Sequence, residues 1–246
     1  MIKKNIPNFF TSLNLFSGCI AAYLAFSSLF EAAFLFVLIG VFFDLFDGLF
    51  ARLFKVESNF GIQFDSMADL ITSGIVPGIV MYNLFLKLGL REIDFVFNVF
   101  KVDFIISIAP LALVSYIIPL SSAIRLTNFN LDRSQNEEFN GLPVPANALF
   151  IVSLPILFDH PLFISIKDLI YSYAGLIIIT FLSAILMNIR FKLFSFKLKS
   201  LNIKENLYQI IFILFFVVLF YFINWISIPI SILVYIIINI LRNYLK

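Results

Sequence analysis

Long apolar runs broken by very few charges constrain this chain of 246 residues more than anything else about it. It is 61% hydrophobic and only 13% charged. A soluble domain is about 45–50% apolar and about 25% charged, so water is the wrong solvent for most of this surface. In a bilayer the backbone must satisfy its own hydrogen bonds, which leaves the helix as the element for uniform runs of this length. About 20 mainly apolar residues cross the hydrocarbon. On that measure the candidate spans are 9–30, 32–54, 65–88, 103–126, 145–160, 168–189, 206–224 and 226–244, eight in all, with six as the smaller count. Pro155 interrupts the fifth, and the break between the last two falls near Asn224. The expectation is an all-α integral membrane protein, with one domain over 1–246.

Basic residues in short loops orient such a bundle. With the N-terminus in the cytoplasm, Lys3, Lys4, Arg52, Lys55, Arg125, Arg133, Arg190, Lys192, Lys197, Lys199, Lys204, Arg242 and Lys246 fall on the cytoplasmic side. Only Lys87, Arg91, Lys101 and Lys167 fall opposite. The opening MIKKNIPNFF has a positive flank but no small-residue cleavage site, and the apolar run continues through Phe30. It therefore reads as a retained first span, not a removed signal peptide. The single cysteine, Cys19, excludes a disulfide within the chain and reads as a small membrane-packing residue. A net charge of +2 offers nothing to nucleic acid. The basic stretch 190–204 alternates with Phe and Leu, as an interfacial segment against anionic membrane lipids or a plain positive-inside loop would. His160, the only histidine, reads as a solvated loop residue.

Against this background the segment 44–69, DLFDGLFARLFKVESNFGIQFDSMAD, is anomalous. Ionisable groups at membrane depth are costly and mark function. Asp44 with Asp47, and Asp65 with Asp69, are spaced to share a helix face. Four carboxylates in one small volume would repel and protonate unless a cation joined them. Oxygen ligands without His or Cys favour Mg²⁺, Mn²⁺ or Ca²⁺. Gly48 and Gly61 each cost a helix about 1 kcal/mol relative to alanine, a cost usually matched by close approach of a helix or a ligand. Ala51 extends the small face, and Arg52 adds a cation suited to phosphate oxygens. Together these residues describe a site for a di- or triphosphate ester. A divalent-cation channel or transporter would instead arrange acids in a ring, normally from symmetric subunits or repeats, whereas these lie on two adjacent spans.

The segment fills the pattern D-x2-D-G-x2-A-R-x8-G-x3-D-x3-D at Asp44, Asp47, Gly48, Ala51, Arg52, Gly61, Asp65 and Asp69 without a departure. In this it resembles the CDP-alcohol phosphotransferase family. That resemblance implies a six-helix core opening at the cytoplasmic membrane surface, here with two additional C-terminal helices. It implies one or two divalent ions, Mg²⁺ or Mn²⁺, on the four aspartates, and Asp69 as general base beside Asp65. Gly48, Ala51, Arg52 and Gly61 would line the CDP donor, and homodimers are common in the family. Three further stretches, IPNFFTSLNLFSGCIAAYLAF, 68–77 and the pair 123–130 with 139–146, resemble the bacterial phosphatidylserine synthases of that family. The likeness runs from the N-terminus to about Ala148. It implies CDP-diacylglycerol as donor and L-serine as acceptor. Arg125 would take the acceptor carboxylate or a donor phosphate. Asn128 and Asn130 are candidate acceptor hydrogen bonders, and Asn8 and Asn14 candidate neighbours of the donor headgroup. Glycerol 3-phosphate, choline or inositol phosphate are the alternative acceptors, for which Lys55, Arg125 and Arg133 supply cations.

Overall fold

A computed structural model describes residues 2–131, 138–189, 192–194 and 207–244. Two long helices, α1 (Ile2–Phe26) and α2 (Phe30–Phe54), pack side by side as the first hairpin. Lys55 adopts the left-handed conformation that ends α2, and the N–H groups of Lys55 and Val56 donate to the carbonyls of Arg52 and Ala51. Three residues later Ser58 caps α3 (Asn59–Asp69), its hydroxyl accepting the Gly61 N–H at 3.1 Å. This tight connection is what sets the acids of α2 against those of α3.

Beyond Asp69 the helix continues through a π turn, Leu70–Ile75, into α4 (Val76–Lys87). Val76 N–H reaches back five residues to the Ile71 carbonyl. Pro77 follows and has no amide to offer, so the α ladder is interrupted here in any case. The turn packs against α1 and α2 through glycines. A Cβ on Gly18 would overlap Thr72, and one on Gly40 would stand 2.7 Å from Thr72 Cγ2 and 3.0 Å from Asn14 Oδ1. Small residues of this kind let membrane helices approach closely. Thr72 Oγ1 donates to the Asn14 carbonyl, and Asn83 Nδ2 to that of Ala25, so α1 and the α3–α4 pass run parallel.

Next come β1 (Ile93–Val99) and β2 (Val102–Ile108), an antiparallel pair with Phe97 opposite Phe104. The fourth expected span, 103–126, is corrected by this hairpin: its first part is strand. Helix begins only with a 3-10 turn, Ala112–Tyr116, leading into α5 (Ile117–Leu131). The reason is local. Phe100 and Lys101 both have positive φ, the backbone of a two-residue hairpin turn, and the flanks are rich in Phe, Ile and Val.

The chain goes on through β3 (Glu138–Asn140), α6 (Val144–Phe158), a 3-10 turn with α7 (Ile164–Ile170), α8 (Tyr173–Asn188) and β4 (Lys192–Phe194), which pairs with β3. Gly141, at φ +79, leaves no room for a side chain against the carbonyls of Met187 and Ile189. Finally α9 (Leu207–Ile223) and α10 (Ser227–Tyr244) fold back on each other about Asn224, as the 5.8 Å contact of the Phe212 and Tyr235 rings requires. Ile79, Phe85, Ile118, Ile151, Leu176 and Met187 form the dry centre between passes.

Among the described residues, the runs Asn5–Phe26, Phe30–Phe54, Asn59–Lys87 and Ile210–Leu241, the last folded back on itself at Asn224, are long and apolar enough to cross a membrane. The pair Val144–Phe158 and Pro161–Ile170 passes the same test only when taken together, and it is bent by 91°. These are fewer than the eight expected: α6 and α8 are short, and the 103–126 run is split. Apolar side chains such as Phe16, Leu35, Leu120, Ile178 and Val217 point outward, as lipid-facing positions do. The chain is thus a multi-pass integral membrane protein. Cys19 is exposed on α1 and not packed between helices. Arg133, Arg190, Lys197, Lys199, Lys204 and Lys246 lie outside the described residues, as does all of 190–204 except 192–194.

Candidate active site

The acids meet where the α2–α3 connection brings one helix face against another. Carboxylate oxygens of Asp44, Asp47 and Asp65 all lie within 4.8 Å of one another. Asp47 is buried, Asp44 and Asp65 half-buried. Two of the four aspartates are held from α1. Thr11 Oγ1 donates to Asp47 Oδ2 at 2.6 Å, and Asn14 Nδ2 to Asp69 Oδ1 at 3.1 Å. Asp69 stands outside the close group of three and is buried. One oxygen of Asp65 is buried without a hydrogen-bond partner among the described residues. Converging oxygens of like charge, one of them unsatisfied, fit a divalent cation bound by hard ligands.

Two cavities open on this group. The smaller, about 220 Å³, is walled by Pro7, Asn8 and Thr11 of α1, by Gly48, Ala51 and Arg52 of α2, and by Ser58, Gly61 and Asp65. A Cβ on Gly48 would meet no protein atom within 4 Å. Its missing side chain therefore leaves space for a ligand and makes no helix contact. At Gly61 the nearest atom would be Ser58 Oγ at 3.3 Å. The larger cavity, about 750 Å³, is bordered by Asp44, Arg52, Asp65, Asp69 and Arg125, by Ser231 and Tyr235, and otherwise by apolar residues. Leu38 and Val41 come from α2, Pro143, Val144 and Leu149 from the start of α6 and the turn before it, and Phe216, Ile228 and Ile232 from the last two helices. Arg52 and Asp65 line both.

Of the expected acceptor residues, Arg125 reaches the larger cavity; it is buried, with its guanidinium 5.6 Å from the Phe129 ring. Asn128 is exposed on α5 and borders none of these spaces. Asn130 donates to Ser66 Oγ at 2.8 Å and lines a separate cavity of about 230 Å³ between α3 and α5. Asn8 borders the smaller cavity, whereas Asn14 serves Asp69. Sequence reasoning missed Thr11 altogether. The spacing Thr11, Asn14, Gly18 marks one small polar face of α1, but nothing local names the acids it serves. Ser231 and Tyr235 of α10, also missed, stand in uniformly apolar sequence.

Residues 4–189 match the family model described as CDP-alcohol phosphatidyltransferase. A CDP-diacylglycerol–serine O-phosphatidyltransferase of Helicobacter pylori is 32% identical over 156 residues, covering 63% of this chain and 58% of that protein. One of Bacillus subtilis is 29% identical over 168 residues, 68% of this chain and 84% of its own length. An archaetidylserine synthase of Methanothermobacter thermautotrophicus is 31% identical over 150 residues, covering 60% and 56%. The match thus spans little more than half the length of the Helicobacter relative.

Proposed function

Given that this chain belongs to the CDP-alcohol phosphatidyltransferase family, we propose that it makes phosphatidylserine and CMP from CDP-diacylglycerol and L-serine. The observation that carries this is the junction itself: three close carboxylates and Arg52 between a small polar cavity and a large apolar one. Such a shape suits a ligand with a nucleotide at one end and acyl chains at the other. The names of the relatives above support serine as the acceptor.

Asp44, Asp47 and Asp65 would hold Mg²⁺ or Mn²⁺, with Asp69 completing the set. When bound, the cation neutralises the donor pyrophosphate and the charge on departing CMP. Asp69 takes the proton of the serine hydroxyl as that oxygen attacks the phosphorus bearing diacylglycerol. A new P–O bond forms to serine, the bridging P–O bond breaks, and CMP leaves with its electron pair. Asn14 keeps the Asp69 carboxylate aimed. Gly48 and Ala51 let the nucleotide approach, and Arg52 pairs with a phosphate. Arg125 binds the serine carboxylate or a donor phosphate from the opposite wall. The bias of basic residues toward one side supports a site on the cytoplasmic face of an inner (cytoplasmic) membrane.

The test uses the full chain in detergent with CDP-diacylglycerol and Mg²⁺ or Mn²⁺. CMP release that requires L-serine, with phosphatidylserine detected by mass, is expected. Release with glycerol 3-phosphate and not with serine would overturn the acceptor. Full activity in Asp69→Asn would remove the assigned base.

A further inference from the structure

The family match ends at residue 189, yet α9 and α10 supply Phe212, Phe216, Ile228, Ser231, Ile232 and Tyr235 to the larger cavity. The helix pair forms one wall of a space whose other walls are α2, α3, α5 and α6. The same space touches Asp44, Asp65, Asp69 and Arg125 at its polar end. Ser231 is 3% exposed and its hydroxyl has no hydrogen-bond partner among the described residues. A buried hydroxyl without a partner is uncommon and is relieved by a ligand oxygen. We propose that the α9–α10 hairpin is part of the substrate site: its apolar residues hold and select the acyl chains of the CDP-linked lipid, and Ser231 bonds an ester or glycerol oxygen. This rests on the function proposed above and adds to it a binding element outside the family-wide core.

The arrangement explains why a pair of helices with so few polar groups still packs inward. Ile226, Ser227, Ile228 and Ser231 are buried, whereas Leu214, Val217 and Tyr221 face outward. The volume, about 750 Å³, lies in the usual range of about 300–1,000 Å³ for sites that bury most of a small ligand. Narrowing the wall therefore penalises long chains more than short ones.

The experiment measures binding of dioctanoyl and dioleoyl CDP-diacylglycerol to the full chain by native mass spectrometry in detergent, and KM for each with L-serine. Ile232→Trp should raise the dioleoyl Kd about tenfold more than the dioctanoyl one, the scale on which a pocket discriminates by a few methylenes. Ser231→Ala should weaken both by roughly fivefold, the scale of one neutral hydrogen bond. Leu214→Trp, on the outward face of α9, should change neither. An Ile232→Trp ratio like that of the unmodified chain overturns the inference and leaves the functional reading standing. If that variant does not fold, Ile232→Ala replaces it, and an unaltered chain-length preference in it is equally fatal. Should the unmodified chain bind neither donor, the functional reading fails and this one falls with it.

Discussion

The two cavities share Arg52 and Asp65 and differ in nearly everything else. The smaller is assembled from the first 65 residues, from three elements joined by tight turns, and presents Asn8, Thr11, Glu57 and Ser58. The larger draws on helices from opposite ends of the chain and is mostly aliphatic and aromatic. Local connections thus fix the polar chamber, while only the tertiary fold closes the apolar one. The difference teaches that headgroup recognition and chain accommodation are separable in this molecule, with the chemistry at their common boundary.

Four substitutions would break or sharpen that contrast. Asp65→Asn strikes the boundary, and turnover should fall about 10³-fold, as for loss of a central electrostatic group. CMP release at saturating donor checks it, and a loss under tenfold would move the chemistry elsewhere. Gly48→Leu fills only the polar chamber. We expect about a 10²-fold loss from a displaced donor, with no fall in melting temperature because a Cβ there meets no atom of the described residues within 4 Å. A lowered melting temperature would mean that the glycine serves packing. Asn14→Ala loosens Asp69, and the Mn²⁺ concentration for half-maximal rate should rise about tenfold. An activation curve identical to that of the unmodified chain would make this contact incidental. Last, Gly40→Ala touches neither chamber. Its Cβ would press on Thr72 and on Asn14 Oδ1, costing about 1–3 kcal/mol of stability in denaturation.

What the sequence showed and what it hid follow the same division. Helical spacing alone paired Asp44 with Asp47 and Asp65 with Asp69, and their exact pattern pointed to the family. The supports for these acids were hidden, because Thr11 and Asn14 act on residues 36 and 55 positions away. Nor could Ser231 be singled out in a run where nearly every neighbour is apolar. Residues 93–108 misled for another reason. Short apolar runs are ambiguous between strand and helix, and the Phe100–Lys101 turn lacks the Asn-Gly or Asp-Gly that advertises a hairpin. The alternation of Asp94, Asn98, Asp103 and Ser107 with apolar residues was the available clue; in the fold these four pair across one face.

The π turn after Asp69 bears on how such a helix acquires two orientations at once. A turn bonded five residues back holds one residue more than its α counterpart, and one residue is worth about 100° of rotation. Asp65 and Asp69 precede this surplus; Gly74 and Gly78, which nestle against Ser122 and Pro119, lie within it and beyond it. The azimuth of the acids is therefore decoupled from that of the packing face. A single rod of 59–87 is in effect two shafts joined by a fixed offset, each free to satisfy its own neighbours.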